Sequence, residues 1–175
     1  MKTHLGWLLR MKHLFDLHGE KHLPSFVLLV SSLFMAPAHA DSLDWKNAWV
    51  NAGFYTYHFE KDKQLENTNL GLGLEVPIDS TYSLTAGRFH NSDNAKSNYA
   101  GVYVMPYQIN GIKLGAVVGA FNGYPNAYDG GWFPALIPVA AIEGSQFGLN
   151  VAFVPTVANK LHGGVSFQLK YRVGQ

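Results

Sequence analysis

The chain of 175 residues contains no cysteine. That absence excludes a disulfide scaffold, a thiolate-ligated zinc or iron–sulfur site and a cysteine nucleophile. Charge is scarce as well: Asp, Glu, Lys and Arg make up 14% of the residues, against about a quarter in an ordinary soluble domain. The 13 Lys and Arg nearly cancel the 12 Asp and Glu. A basic surface for nucleic acid is therefore missing, and neither nucleic-acid binding nor a disordered, highly charged chain fits. Long apolar runs are absent beyond residue 40. The best of them, Trp132 to Ile142, has 11 residues and contains Pro134 and Pro138, too short and interrupted for a spanning helix. Glycine (18 residues) and aromatics (14%) are plentiful instead. Few charges with many aromatics and glycines suit a chain whose outer surface does not face water.

The first 40 residues read as a cleaved leader. Leu23 to Ala40 is an apolar stretch ending in Ala38-His39-Ala40, the small-x-small pattern cut by signal peptidase before Asp41. Lys2, Arg10, Lys12 and Lys21 supply the positive flank. Met11 could open a 30-residue leader, which would make residues 1 to 10 an extension or a misplaced start. A membrane-anchoring helix is the competing reading, but Pro24, Ser31, Ser32 and Pro37 break the stretch. Residues 41 to 175 then carry nine Lys and Arg against ten Asp and Glu, and only three of the eight His: His58, His90 and His162.

Beyond the leader the hydrophobicity alternates. Val165, Phe167, Leu169, Tyr171 and Val173 share one parity, and Ser166, Gln168, Lys170 and Arg172 the other. Successive strand residues face opposite sides, so this is a two-faced strand. Leu70, Leu72, Leu74 and Val76 repeat the pattern, as do Ile112, Leu114, Ala116, Val118 and Ala120. Further strands are expected at about 48 to 59, 82 to 89, 98 to 107, 134 to 142 and 147 to 154. Between them lie the turn clusters 77 to 80, 91 to 97, Asn110-Gly111, 122 to 131, Gly144-Ser145 and 162 to 164.

Eight strands of about ten residues, with short connections, satisfy the arithmetic of an all-β, eight-stranded antiparallel up-and-down barrel. A lipocalin-like barrel would bury the same apolar parity inside. The other parity, however, is mostly Gly, Ser, Asn and Gln, whereas a water-facing exterior would carry many more Lys and Glu. Apolar residues facing lipid and small polar ones facing inward describe a transmembrane barrel. Trp45, Trp49, Tyr55, Tyr57, Tyr103, Tyr107, Tyr124, Tyr128 and Trp132 lie near strand ends and are expected as its aromatic girdles.

Chemistry is expected at one rim. His58 ends the first strand, and Ser92 follows Phe89-His90-Asn91 at the end of the third. In an up-and-down barrel those two ends open on the same side. A His and a Ser brought together there are a base and nucleophile for acyl transfer, although a surface His and a Ser-Asp-Asn turn are also ordinary loop chemistry. His162 before Gly163-Gly164 reads as a turn residue. The three His are too scattered for a zinc triad, and neither metal nor cofactor is implied.

At these residues the chain resembles a known family. YTYHFEKDK, LGLGLE, FHNSDNAKSNYAG, ALIPVAAIEG and AFVPT, in this order and spacing, look like the lipid A palmitoyltransferase (PagP) barrels of Gram-negative outer membranes, over roughly residues 50 to 175. The resemblance implies transfer of a palmitoyl chain from a phospholipid to lipid A, the lipid anchor of lipopolysaccharide, by a monomer in the outer membrane. It matches His58 to the family His and Ser92 to the family Ser. Asn91 stands where the family has Asp, and His90, with no family counterpart, is a candidate for that missing role. An interior acting as a hydrocarbon ruler is also implied. So is lipid access through a gap in strand pairing made by two prolines, which Pro138 and Pro155 match; in an ordinary sheet they would mark an edge or a bulge. The 3-O-deacylase barrels carry a His-x-Ser pair near the C-terminus, and none occurs in the last strand or its approach here; His90-Asn91-Ser92 has that form but ends the third strand. The expectations are thus an acyltransferase-like barrel with His58, Asn91 and Ser92 at its site, against a catalytically silent barrel that stabilises the envelope or presents loops, and less favoured still, a periplasmic lipid-binding barrel.

Overall fold

The computed structural model describes residues 43 to 157 and 161 to 173. The expected leader, its cleavage site before Asp41 and the alternative start at Met11 lie outside them. Eight strands follow one another: β1 (Trp49–His58), β2 (Thr68–Pro77), β3 (Tyr82–His90), β4 (Lys96–Ile109), β5 (Ile112–Phe121), β6 (Phe133–Glu143), β7 (Phe147–Val154) and β8 (Gly164–Arg172). Each pairs antiparallel with the next, and β8 returns to β1. The protein is a closed, up-and-down, eight-stranded antiparallel β-barrel. Closure removes the sheet edges that would otherwise recruit another chain.

Its two ends differ. At one end the connections are tight: 78–81, 110–111 and 144–146. Asn110 and Gly111 both have positive φ, 51° and 83°, the two-residue hairpin turn that an Asn-Gly pair favours because its twist matches the strands. At the other end the connections 59–67, 91–95, 122–132 and 155–163 are long. Strand parity does the rest. The leucines of β2 point outward, Leu70 being 70% exposed, and Leu136, Phe147, Phe153, Leu169 and Tyr171 join them on the outer wall. Asn51, Thr56, Asn69, Glu75, Thr85, Asn150, Ser166, Gln168 and Lys170 turn inward and are buried.

Two expectations need correction. Trp49 and Tyr103 do not belong to an outer girdle, since both are buried in the lumen; parity, which places them with Asn51 and Gly101, outweighs their position near strand ends. Tyr124 is not in the girdle either, for it packs against the lumen-facing ring of Phe133. Nor is the interior lined only by small polar groups. Phe54, Phe89, Tyr99, Phe121 and Phe133 form a chain of ring contacts across it, with centroids 5.0 to 6.4 Å apart. An eight-stranded barrel is just wide enough for side chains to fill, and the glycines make the room: a Cβ on Gly73 would sit 2.0 Å from the Tyr99 hydroxyl.

Toward the tight-turn end the filling becomes ionic. Lys170 Nζ lies 2.9 Å from Glu75 Oε1 and 2.7 Å from Glu143 Oε1, and Lys113 Nζ lies 2.8 Å from Glu143 Oε2. Asn150 donates to Glu75, while Trp49 lies beneath the Lys170 ammonium and the Arg172 guanidinium. No helix among the described residues is long and apolar enough to cross a membrane.

Candidate functional site

The long-connection end holds His58. As the last residue of β1 it shares the inward parity of Thr56 and is buried. Ser92 arrives from the turn between β3 and β4. Its Oγ lies 2.8 Å from His58 Nε2, and on the other side of the ring His58 Nδ1 lies 2.8 Å from Asn67 Oδ1. With the Asn67 oxygen as acceptor, the imidazole carries its proton on Nδ1 and presents a free Nε2 lone pair to the Ser92 hydroxyl. That is the tautomer a general base requires. The two residues expected to share a rim are thus in hydrogen-bond contact.

Asn91 does something else. Its Oδ1 accepts from the backbone N–H of Asp93 and Ala95, and its Nδ2 donates to Ser97 Oγ and the Gly123 carbonyl. Both polar atoms are engaged in folding the 91–95 turn and tying it to the 122–132 connection, and none reaches His58. His90 points the other way, outward and exposed beside Lys96. His162 pairs with Glu60 across two long connections.

Asn67 is the residue that the sequence reading missed. The signal was the hairpin register: Tyr55 pairs with Thr68, and the Thr56 N–H donates to the Asn67 carbonyl, so Asn67 lies beside the upper end of β1. Beneath His58 a small polar floor supports it. Thr56 Oγ1 donates to Asn69 Oδ1 and lies 2.7 Å from Ser166 Oγ. The turn is braced too, for the Glu66 N–H donates to the Ser92 carbonyl. Above it, burial and then the Asp93 carboxylate push the Tyr124 phenol well above its ordinary range, so this ring stays neutral.

The prolines coincide with an interruption in the barrel wall. The β6–β7 ladder runs only from Val139–Ala152 to Glu143–Gly148. Toward the long-connection end Phe133 to Pro138 of β6 pair with β5 alone, and Phe153 and Val154 of β7 pair with β8 alone. Pro138 marks the start of the unpaired half and Pro155 follows the last residue of β7. Neither ring nitrogen can donate to a ladder. On the lumen side of this seam stand Ala135, Ile137, Ala152 and Val154, smaller than the aromatic residues opposite.

No family model matches the chain, and no curated protein matches it. Among solved structures, the de novo designed protein TMB2.3, determined by solution NMR, superposes with a TM-score of 0.55 at 14% identity, over 76% of this chain and 97% of that one. That likeness is one of fold. It extends across the barrel and carries no side-chain chemistry.

Proposed function

We propose that the protein is an outer-membrane acyltransferase that moves an acyl chain from a phospholipid to a lipid A-like acceptor, with Ser92 as nucleophile, His58 as base and Asn67 as the residue that orients the imidazole. The observation that carries this reading is the His58 ring held between Ser92 and Asn67. The apolar outer wall supports placement in a bilayer, and the long connections would face outward as in outer-membrane barrels.

Ser92 Oγ would attack the ester carbonyl carbon of the phospholipid while its proton passes to His58 Nε2. The imidazolium then returns that proton to the departing glycerol oxygen, leaving an acyl-Ser and a lysophospholipid. In the second half the acceptor hydroxyl gives its proton to His58 and attacks the acyl-Ser carbonyl carbon; the Ser92 Oγ–acyl bond breaks and the imidazolium returns the proton to Ser92 Oγ, restoring both residues. The half-zipped β6–β7 seam supports sideways entry of a chain from the bilayer, and the aromatic layer around Tyr99 would limit how deep it reaches. Detergent-refolded protein with labelled phospholipid and lipid A should transfer label to lipid A, and Ser92→Ala and His58→Ala should each lower that rate by about a hundredfold or more.

One observation favours a second reading. Ser92 is only 9% exposed and His58 3%, which suits a structural hydrogen bond in a silent barrel. In that case Ser92→Ala lowers the unfolding midpoint and no variant, wild type included, transfers label.

A further inference from the structure

Five Lys and Arg lie within the strands: Arg88, Lys96, Lys113, Lys170 and Arg172. Lys113 and Lys170 pair with Glu143 and Glu75, and Arg172 lies over Trp49. Arg88 and Lys96 face outward instead, with His90. In the β3–β4 register His90 is opposite Lys96 and Arg88 is opposite Asn98, so the four make one block on the outer wall. No carboxylate lies within 4 Å of Arg88 or Lys96 among the described residues, and both strand acids, Glu75 and Glu143, turn into the lumen.

The block is oriented rather than loose. Arg88 Nε donates to Asn98 Oδ1 at 2.8 Å, and Asn98 is itself fixed by the Asn122 side chain through its backbone N–H and its amide. The guanidinium is held by one edge, with its terminal N–H groups left to a ligand. One rung toward the tight-turn end, Ala86, Ala100 and Ala120 stand side by side on three adjacent strands. Leu70 and Leu72 of β2 flank the block. Unpaired cations on a lipid-facing wall are costly unless they lie near the interface or meet an anion.

We propose that Arg88, His90 and Lys96 bind the phosphate headgroup of a membrane lipid, with its acyl chain against the shallow alanine row. This rests on the outer wall facing a bilayer. The turn that carries Ser92 joins His90 to Lys96, so a lipid held here sits against the candidate nucleophile loop. Arginine suits this role because its planar donors match phosphate oxygens, and lysine adds a point charge.

The test is native mass spectrometry of the full chain refolded into neutral detergent with equal amounts of phosphatidic acid and phosphatidylcholine. Phosphatidic acid should be retained about tenfold over phosphatidylcholine. Arg88→Leu with Lys96→Leu should bring the two to parity, and Arg88→Gln with Lys96→Gln should do the same if the leucine pair fails to fold. Lys61→Leu with Lys63→Leu, in a long connection, should retain the preference. Parity in the wild type, or a preference that survives both Arg88/Lys96 pairs, overturns the site. Loss of retention on adding millimolar inorganic phosphate also overturns it, by assigning the block to free phosphate. Unboiled and boiled samples run on a gel separate the two claims: a heat-sensitive barrel in detergent without lipid preference rejects this site alone, whereas identical migration rejects the membrane barrel and the site together.

Discussion

At the scale of single residues, one asparagine that the sequence singles out turns out to fold a turn, and another that it passes over contacts the His58 ring. Asn91 stands where the sequence resemblance expects an acid, yet its amide nitrogen is committed to Ser97 and Gly123 and its oxygen to two backbone N–H groups. Asn91→Asp replaces a donor with a carboxylate oxygen aimed at a carbonyl. The variant should be about 1–3 kcal/mol less stable and no faster in acyl transfer, as urea titration in detergent and the transfer assay would show. A faster, equally stable protein would place the acid role at Asn91 after all. Asn67 holds the His58 tautomer, so Asn67→Ala should lower turnover without a matching loss of lipid affinity, and Asn67→Asp should restore it. That His58 and Ser92 share a rim was legible because up-and-down connectivity opens the ends of the first and third strands on one side, and the resemblance singled out the pair; their contact across β2 was not legible from spacing. Nor was Asn67, since it depends on where a bulge between Ala52 and Phe54 shifts the β1–β2 register. Tyr124 adds a pH prediction. Its pKa is raised in the folded state, so between about pH 10 and the folded value the unfolded chain releases this proton first. The stability associated with the neutral phenol is present below pH 10 and lost as pH rises. Tyr124→Phe should flatten the alkaline decline relative to wild type, measured by thermal melts at increasing pH.

The strands themselves were readable where hydrophobicity alternates cleanly. β2, β5 and β8 lie where the period of two puts them, with the apolar set on the outer parity, where Val76 alone of the β2 set is buried. β4 is longer than its pattern suggests, Lys96–Ile109, because an irregularity between Val104 and Tyr107, spanning Pro106, carries it on to the turn at Asn110. The interior aromatic layer was hidden for a different reason. Phe54, Phe89, Tyr99, Phe121 and Phe133 come from different strands, and only closure brings them face to face. Pro138 gives the test at this scale. Replacing it with valine supplies the missing N–H on the β7 side of β6, where the ladder stops at Val139. Hydrogen exchange should show greater protection in β6 and β7, and transfer should slow several-fold as the seam closes. If protection rises while transfer is unchanged, lipid does not enter there.

For the molecule as a whole, the scarcity of charge and its distribution belong to one design. Most strand-borne charge is folded into the tight-turn end of the lumen, where Lys170 joins Glu75 from β2 to Glu143 from β6 across the barrel, and Asn150 completes the contact with Glu75. Composition showed only that charge is scarce. It did not show that β2, β6 and β8 would bring their ionic groups to one level, because that depends on the stagger of the closed sheet. Lys170 is almost fully buried, at 1% exposure. Lys170→Met keeps much of the volume but leaves two carboxylates facing one another with Lys113 as the remaining cation near Glu143. Breaking a buried pair by removing one partner costs about 3–5 kcal/mol, whereas Lys170→Met with Glu75→Leu removes the pair together and should recover much of that loss. Urea unfolding in detergent would measure both. The same layer, with the aromatic layer above it, fills the lumen, so wild-type protein in planar bilayers should conduct no ions. If Lys170→Met alone opens steady conductance while the double variant stays silent, the network seals the barrel as well as holding it together. Steady conductance by the wild type would mean that these layers do not block the lumen.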